Sequence, residues 1–436
     1  MKEVIRSADP RIAALIARQA TQRPDNDGLG LERVTALLVA LGRPQDDLPP
    51  VFHVAGTNGK GSTCAFLRAA LEAAGHRVHA FTSPHLVRYN ERIRLAGTLI
   101  DDDRLGELMT RVLDANEPIG GSLFEVNVAV AFLAFAAVPA DALILEVGLG
   151  GRLDATNVID RPLVTGIASL ALDHQAFLGD TLPQIAAEKA GIAKHGVPLV
   201  TQAYPLKAAA SVEQVARQVG AMWEPRGLHW DANVRQGRLH YHYRNGALTL
   251  PLPRLAGQHQ ALNASLAVAM LRHQNVLDVP PQALSAAMGL ADWPARLQHL
   301  GRGPLTDLLP PGSELWLDGG HNPAAARLVA EHLQDQWTDD LPSILVFASL
   351  AAKDALGMLK PFVRLRPRIF AVPIEGHDCR HHAELARIAN DLGLQAQPAT
   401  DLPRALATIT EPARVLIFGS LYLAGEALAA NGEQPN

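Results

Sequence analysis

The segment Val51-Phe52-His53-Val54-Ala55-Gly56-Thr57-Asn58-Gly59-Lys60-Gly61-Ser62-Thr63 decides the fold class, because it reads as a strand, a glycine loop and a helix start in immediate succession. Val51 to Val54 is a short apolar run with β-branched and aromatic side chains. Thr63 to Ala74 places Phe66, Leu67, Ala70, Leu71 and Ala74 on one helical face, and Gly75 is a stop signal. Between them, glycines let backbone N–H groups turn toward a polyphosphate, the helix N-terminus adds positive dipole, and Lys60 supplies a full charge. The spacing differs from the common P-loop, since Gly61 separates Lys60 from the hydroxyls of Ser62 and Thr63.

Working outward, short apolar runs alternate with helical patterns, as expected for helices around a parallel sheet. Runs near Val78 to Phe81, Ala142 to Val147, Leu163 to Ile167 and Val197 to Val200 extend the first series. A second series runs through Leu315 to Leu317, Ile344 to Phe347, Ile369 to Val372 and Val415 to Phe418. Arg226 to Pro253 alternates polar and apolar residues around Asn245-Gly246, which predicts a β-hairpin. A helix is expected from His259 to Arg272, and Val128 to Ala140 reads as a core helix too short to cross a bilayer. Prolines and glycines between Ala291 and Pro311 mark a linker. The expected fold is α/β: a P-loop-type parallel-sheet ATPase domain over residues 1–296, then a smaller Rossmann-like α/β domain over 297–436.

With 436 residues, 48% hydrophobic and 19% charged, the chain has the composition of a folded protein of two or three domains. Lys plus Arg is 39 against 44 Asp plus Glu, a net charge of −5, so no global positive field draws it to nucleic acid or anionic lipid. Two cysteines, Cys64 and Cys379, are too few for a disulfide framework and point to the cytoplasm. Met1 to Ala20 mixes charges through a weak helical pattern and does not read as a signal peptide.

Polar residues fall where strands end. Ser83 follows one strand, Glu146 closes another, and Asp173 and His174 follow a third. In a doubly wound sheet those ends share one edge, where ligands bind. A carboxylate and a hydroxyl suit Mg²⁺, which bridges nucleotide phosphates; an imidazole is a less natural partner for so hard an ion, so a structural role for His174 stays open. Gly148 to Asn157 is a glycine-rich loop at the same edge, and its Asp154 is either a turn residue or an acceptor for an amidine-like heterocycle edge. Asp318 to Pro323 follows a strand of the second series, and Arg296 sits in the linker within reach of a phosphate or simply at the surface. His377, Asp378, Cys379, His381 and His382 fit no common zinc spacing and read as a solvated loop.

Taken together, Val54 to Ser62, Ser83 to Arg92, Leu145 to Asn157, Leu172 to His174, Glu188 to Ile192, Asp318 to Pro323 and Gly419 to Glu426 resemble the folylpolyglutamate synthase and dihydrofolate synthase family, part of the Mur ligase group. The resemblance runs from about Gly28 to Glu426 and implies an ATP-dependent ligase. It implies transfer of the γ-phosphate to a pterin-linked carboxylate, then attack by the amine of L-glutamate. On this resemblance Thr57, Asn58, Gly59, Lys60, Gly61 and Ser62 bind ATP with Asn263, Arg296 and Asp318. Ser83, Glu146 and His174 ligate Mg²⁺, and Lys189 carries a carbamate toward a second ion. Lys60, His174, Lys189 and Arg296 are the implied catalytic residues. The pterin pocket takes Gly28, Leu29, Gly30 and Leu31, then Ser122, Leu123, Phe124 and Glu125, then Leu153, Asp154 and Ala155. His321 and Ser420 are implied glutamate contacts.

The acceptor is then dihydropteroate, a reduced folate, or both, with bifunctionality the expectation and a monomer the expected state. Two other functions stand beside this one. A cell-wall Mur-type ligase would need a further N-terminal domain, and only roughly 50 residues precede the ATP loop. A nucleotide-binding module without ligation would leave Glu146, His174 and Arg296 idle.

Overall fold

The computed structural model describes residues 9–22, 28–244, 246–338 and 340–435. Its first sheet contains β1 (Val51–Ala55), β2 (Val78–Phe81), β3 (Ile93–Leu95), β4 (Thr98–Leu99), β5 (Ala142–Glu146), β6 (Val164–Ile167), β7 (Pro198–Thr201) and β8 (Met222–Pro225). Their spatial order is β4-β3-β2-β5-β1-β6-β7-β8. The six strands from β2 to β8 in that order are parallel, and β3 and β4 add an antiparallel edge. Both β1 and β5 are buried along their whole length, as strands covered on both faces must be. Phe52, Val54 and Ile144 face one core with the helices Lys60–Ala73 and Gln258–Arg272. Val51, Leu143 and Leu145 face the other with Asp102–Asn116 and Leu123–Ala136. Helix Leu123–Ala136 is apolar all round because it is buried all round, and Ser122 starts it by a reciprocal cap with Glu125.

The expected hairpin is one strand larger. β9 (Trp230–Arg235), β10 (Arg238–Tyr243) and β11 (Gly246–Pro251) form an antiparallel meander. The turn at Arg244 to Gly246 joins β10 to β11 with Tyr243 opposite Gly246; its Asn245 lies outside the described residues, as do residues 1–8 of the N-terminal helical pattern. The first turn was hidden because it uses Gln236-Gly237, both at positive φ (50° and 70°), in place of an Asn-Gly pair.

The second sheet has β12 (Gln298–His299), β13 (Glu314–Asp318), β14 (Ser343–Phe347), β15 (Arg368–Ala371), β16 (Gln395–Pro398) and β17 (Arg414–Phe418), in the order β12-β13-β17-β14-β15-β16. All but β12 are parallel. The connecting stretch is pinned down. Ala295 and Leu297 are buried in the two cores flanking the second sheet, and both adopt left-handed backbone, with φ of 56° and 43°. Leu297 N–H donates to Asp318 Oδ2 at 2.9 Å, and Gly319 N–H to Ala295 O at 2.9 Å. Arg296 projects between these two anchors. Among the described residues no helix is long and apolar enough to cross a membrane.

Candidate active site

The parallel strands bring the ends of β2, β5, β1 and β6 side by side, and a cavity of about 450 Å³ opens over them beneath the second lobe. Thr57, Asn58, Gly59, Lys60, Gly61, Ser62, Ser83, Glu146, His174, Lys189, Asn263, Arg296, Asp318, His321 and Ser420 all line it. So do Gly28, Leu29, Gly30, Ser122, Leu123, Phe124, Glu125, Leu153, Asp154 and Ala155. Leu31 does not; its side chain packs against the apolar core of helix Leu123–Ala136, one residue past the point where the chain leaves the wall.

Lys60 is the first residue of its helix, so its ammonium stands at the positive end of the helix dipole, where only an anion would be welcome. Gly59 before it has φ of 85°, and a Cβ there would meet Asn263 Oδ1 at 2.3 Å, so both backbone and space demand glycine. Lys60 Nζ donates to Gly56 O at 3.2 Å, and Lys189 Nζ donates to the same oxygen at 3.0 Å. Burial, reinforced by Lys60, pushes the Lys189 ammonium down to about 7. The neighbouring Glu188 pairs with Arg152 at 2.8 Å instead of with Lys189.

Glu146 is 4% exposed, and its Oε2 accepts the Ser83 N–H at 3.3 Å. Burial raises its carboxyl, opposed by Lys60 and Arg296. His174, in left-handed backbone at φ 51°, is pushed down to about 4, chiefly by burial and against the pull of Asp173. Among the described residues no three His, Cys, Asp or Glu side chains cluster closely enough to hold a metal ion unaided. A buried carboxylate beside a hydroxyl still fits a hard cation that takes its other ligands from phosphate and water. His377 stacks on Tyr422 with ring centroids 3.9 Å apart, and His381 caps helix His382–Asp391.

The two lobes meet on Asp173. Lys353 pairs with its Oδ1, Asn322 Nδ2 donates to its Oδ2 at 3.3 Å, and His321 Nε2 lies 3.6 Å from Oδ2. Burial alone would raise this carboxyl, but His321, His174 and Lys353 hold it well below the usual carboxylate range. Asn58 and Asn322 exchange two side-chain hydrogen bonds of 3.1 and 2.9 Å. Lys353 was missed in the sequence; its one local signal is its position after the apolar β14 run. Asp318 has both oxygens engaged inside its own lobe, by Leu297 N–H at 2.9 Å and Gly320 N–H at 2.7 Å.

At the far end of the cleft, Arg33 Nε donates to Glu125 Oε2 at 3.0 Å and its Nη2 to Gly28 O at 2.9 Å, which ties the Gly28 to Gly30 segment to the helix start. Asp154 Oδ2 accepts Leu149 N–H at 2.8 Å, and its Oδ1 accepts Thr156 N–H at 3.0 Å.

A family described as dihydrofolate synthetase, C-terminal domain, matches residues 306–430. The chain is 33% identical to the dihydrofolate synthase/folylpolyglutamate synthase of Bacillus subtilis, over 90% of this chain and 93% of that one. Escherichia coli FolC in complex with DHPP and ADP superposes with a TM-score of 0.86 at 31% identity, over 97% of each chain. A bifunctional folylpolyglutamate synthase/dihydrofolate synthase with Mn, AMPPNP and L-glutamate bound superposes with a TM-score of 0.83 at 30% identity, over 98% of this chain and 99% of that one. Sequence, both lobes and the cleft between them thus agree, and the chain belongs to the dihydrofolate synthase/folylpolyglutamate synthase family.

Proposed function

We propose that this protein is an ATP-dependent ligase that joins L-glutamate to dihydropteroate and to the γ-carboxylate of reduced folates. The carboxylate oxygen of the acceptor attacks the γ-phosphorus of ATP, ADP departs, and an acyl phosphate forms. The glutamate amine attacks the acyl carbon, its ammonium protons go to solvent or buffer, and inorganic phosphate leaves. Activation is required because a carboxylate is a poor electrophile, and the protein contributes positioning and charge rather than a nucleophile.

In this reading residues 1–296 carry ATP and the pterin, and residues 297–436 close the cleft and contact glutamate through His321 and Ser420. Lys60 and the N–H groups of Thr57 to Ser62 hold the phosphates, and Arg296 meets them from across the cleft, with Asn263 and Asp318 completing the nucleotide site. Ser83, Glu146 and His174 would hold Mg²⁺, which supplies charge neutralisation at the phosphates when bound. Lys189 carries a carbamate, formed when its neutral amine adds to CO₂ with loss of a proton; the buried, depressed ammonium beside Lys60 supports this. Such an adduct would offer an oxygen ligand to a second ion. The Gly28 to Gly30, Ser122 to Glu125 and Leu153 to Ala155 segments bind the pterin. The protein acts as a monomer, and in the cytoplasm, the latter in keeping with its two unbridged cysteines.

One observation carries the reading: Lys60, Glu146 and Asp173, from three different strand ends, line one cavity with His321 and Arg296. The test is to supply purified protein with ATP, Mg²⁺, L-glutamate and either dihydropteroate or tetrahydrofolate. Acceptor-dependent ADP release and a product heavier by one glutamyl residue are expected with both. No acceptor-dependent release with either would overturn it.

A further inference from the structure

We propose that His53 is a positioning residue for the pterin pocket, acting through Thr156 on the carboxylate of Asp154. The inference rests on the reading of Asp154 as a pterin contact. His53 lies in the middle of β1, fully buried, where an aliphatic side chain would pack at no polar cost. Its Nε2 is 2.8 Å from Thr156 Oγ1, and that hydroxyl donates to Asp154 Oδ1 at 2.5 Å. Thr156 is itself fully buried and Asp154 is 3% exposed, so solvent cannot replace either bond.

The direction of the chain of bonds follows from counting donors. Asp154 receives the N–H groups of Leu149 and Thr156 as well as the Thr156 hydroxyl, an arrangement that fits an anionic carboxylate. Burial raises this carboxyl, and those same donors oppose the rise. The Thr156 proton is therefore committed to Asp154, and its oxygen accepts from His53 Nε2–H. His53 is neutral, with burial pushing it down to about 3, and its Nδ1 has no partner. The ring has one polar task, donating to Thr156. The loop's backbone is tied elsewhere, by Arg152 N–H to Glu188 O at 2.8 Å and by Asn157 Nδ2 to Arg152 O and Gly191 O at 3.0 Å, but the Asp154 carboxylate itself is oriented by Leu149 and by Thr156, the residue that His53 contacts. The strand that delivers the phosphate loop thereby also anchors the pterin loop.

Four variants test this. Thr156→Val keeps the shape and removes the hydroxyl; His53→Leu removes the donor. Each is expected to raise KM for dihydropteroate about tenfold while KM for ATP stays within about twofold. Thr156→Ser restores the hydroxyl and His53→Gln restores an N–H, and both are expected to recover most of the dihydropteroate KM. Should His53→Leu fail to fold, the near-isosteric Thr156→Val and its serine rescue carry the test. An unchanged dihydropteroate KM in Thr156→Val, or equal rises for ATP and dihydropteroate, would overturn the proposal. Wild-type turnover is measured alongside: its absence with dihydropteroate defeats the ligase reading and this inference with it, whereas normal wild-type turnover with an unaffected Thr156→Val defeats this inference alone.

Discussion

The two ends of the cleft are built on opposite principles. At the phosphate end, two lysine amines, Lys60 and Lys189, share one neutral acceptor, Gly56 O, at 3.2 and 3.0 Å. At the pterin end, the carboxylates are already met by the protein: Glu125 by Arg33 and the Ser122 N–H, Asp154 by Leu149 and Thr156. At the first end Lys60 rests on a backbone oxygen and gains when a polyanion arrives; the second is a mould whose polar groups are set before any ligand enters. Removing a group at the first end should therefore cost rate, and at the second end affinity.

The sharpest way to break this contrast is Lys60→Ala. Turnover is expected to fall about a thousandfold or more, as when a charge on a transferring phosphoryl group is lost, while far-UV circular dichroism stays native. Near-normal turnover would remove Lys60 from the phosphate end. Next comes Asp173→Ala, which strips the acceptor shared by Lys353, Asn322 and His321 and leaves Lys353 buried without it. Urea unfolding is expected to show a loss of about 3 kcal/mol, the scale for breaking a buried pair from one side. A change below about 1 kcal/mol would mean that the lobes are held elsewhere. Asp154→Ala is expected to raise KM for dihydropteroate about tenfold and to leave that for ATP nearly unchanged; a selective effect on ATP would blur the two ends. Smallest of all, Leu31→Ala should keep every KM within about twofold, since its side chain lies outside the cleft. A tenfold rise for the pterin substrate would extend the pterin wall to it.

What could be read from the sequence follows the same division between local and distant. The phosphate loop was legible because strand, glycines, Lys60 and helix start are consecutive. The strand-end positions of Ser83, Glu146 and His174 were legible because a parallel sheet aligns its ends. β8 and β16 were not, since edge strands such as Gln395–Pro398 are largely exposed and carry no apolar run. The Asp173–Lys353 pair joins residues 180 positions apart, and no pattern in one sequence announces such a partnership. His53 gave no signal either, because one polar residue within an apolar strand looks the same whether or not it reaches a loop. Leu31 came with the resemblance, as the last residue of the Gly28 to Leu31 segment, and its side chain packs where the chain turns from the wall into the core.

Arg296 stands between Ala295 and Leu297, both sunk in the cores of the second lobe and both held in a left-handed conformation that costs a residue bearing a Cβ on the order of 1 kcal/mol. Mechanically the arginine is a tooth on the second lobe, although the chain reaches it straight from the first. With both neighbours fixed in the second lobe and its Nη1 donating to Ala295 O at 2.8 Å, the base of this arginine would travel with that lobe in any change of the angle between the two.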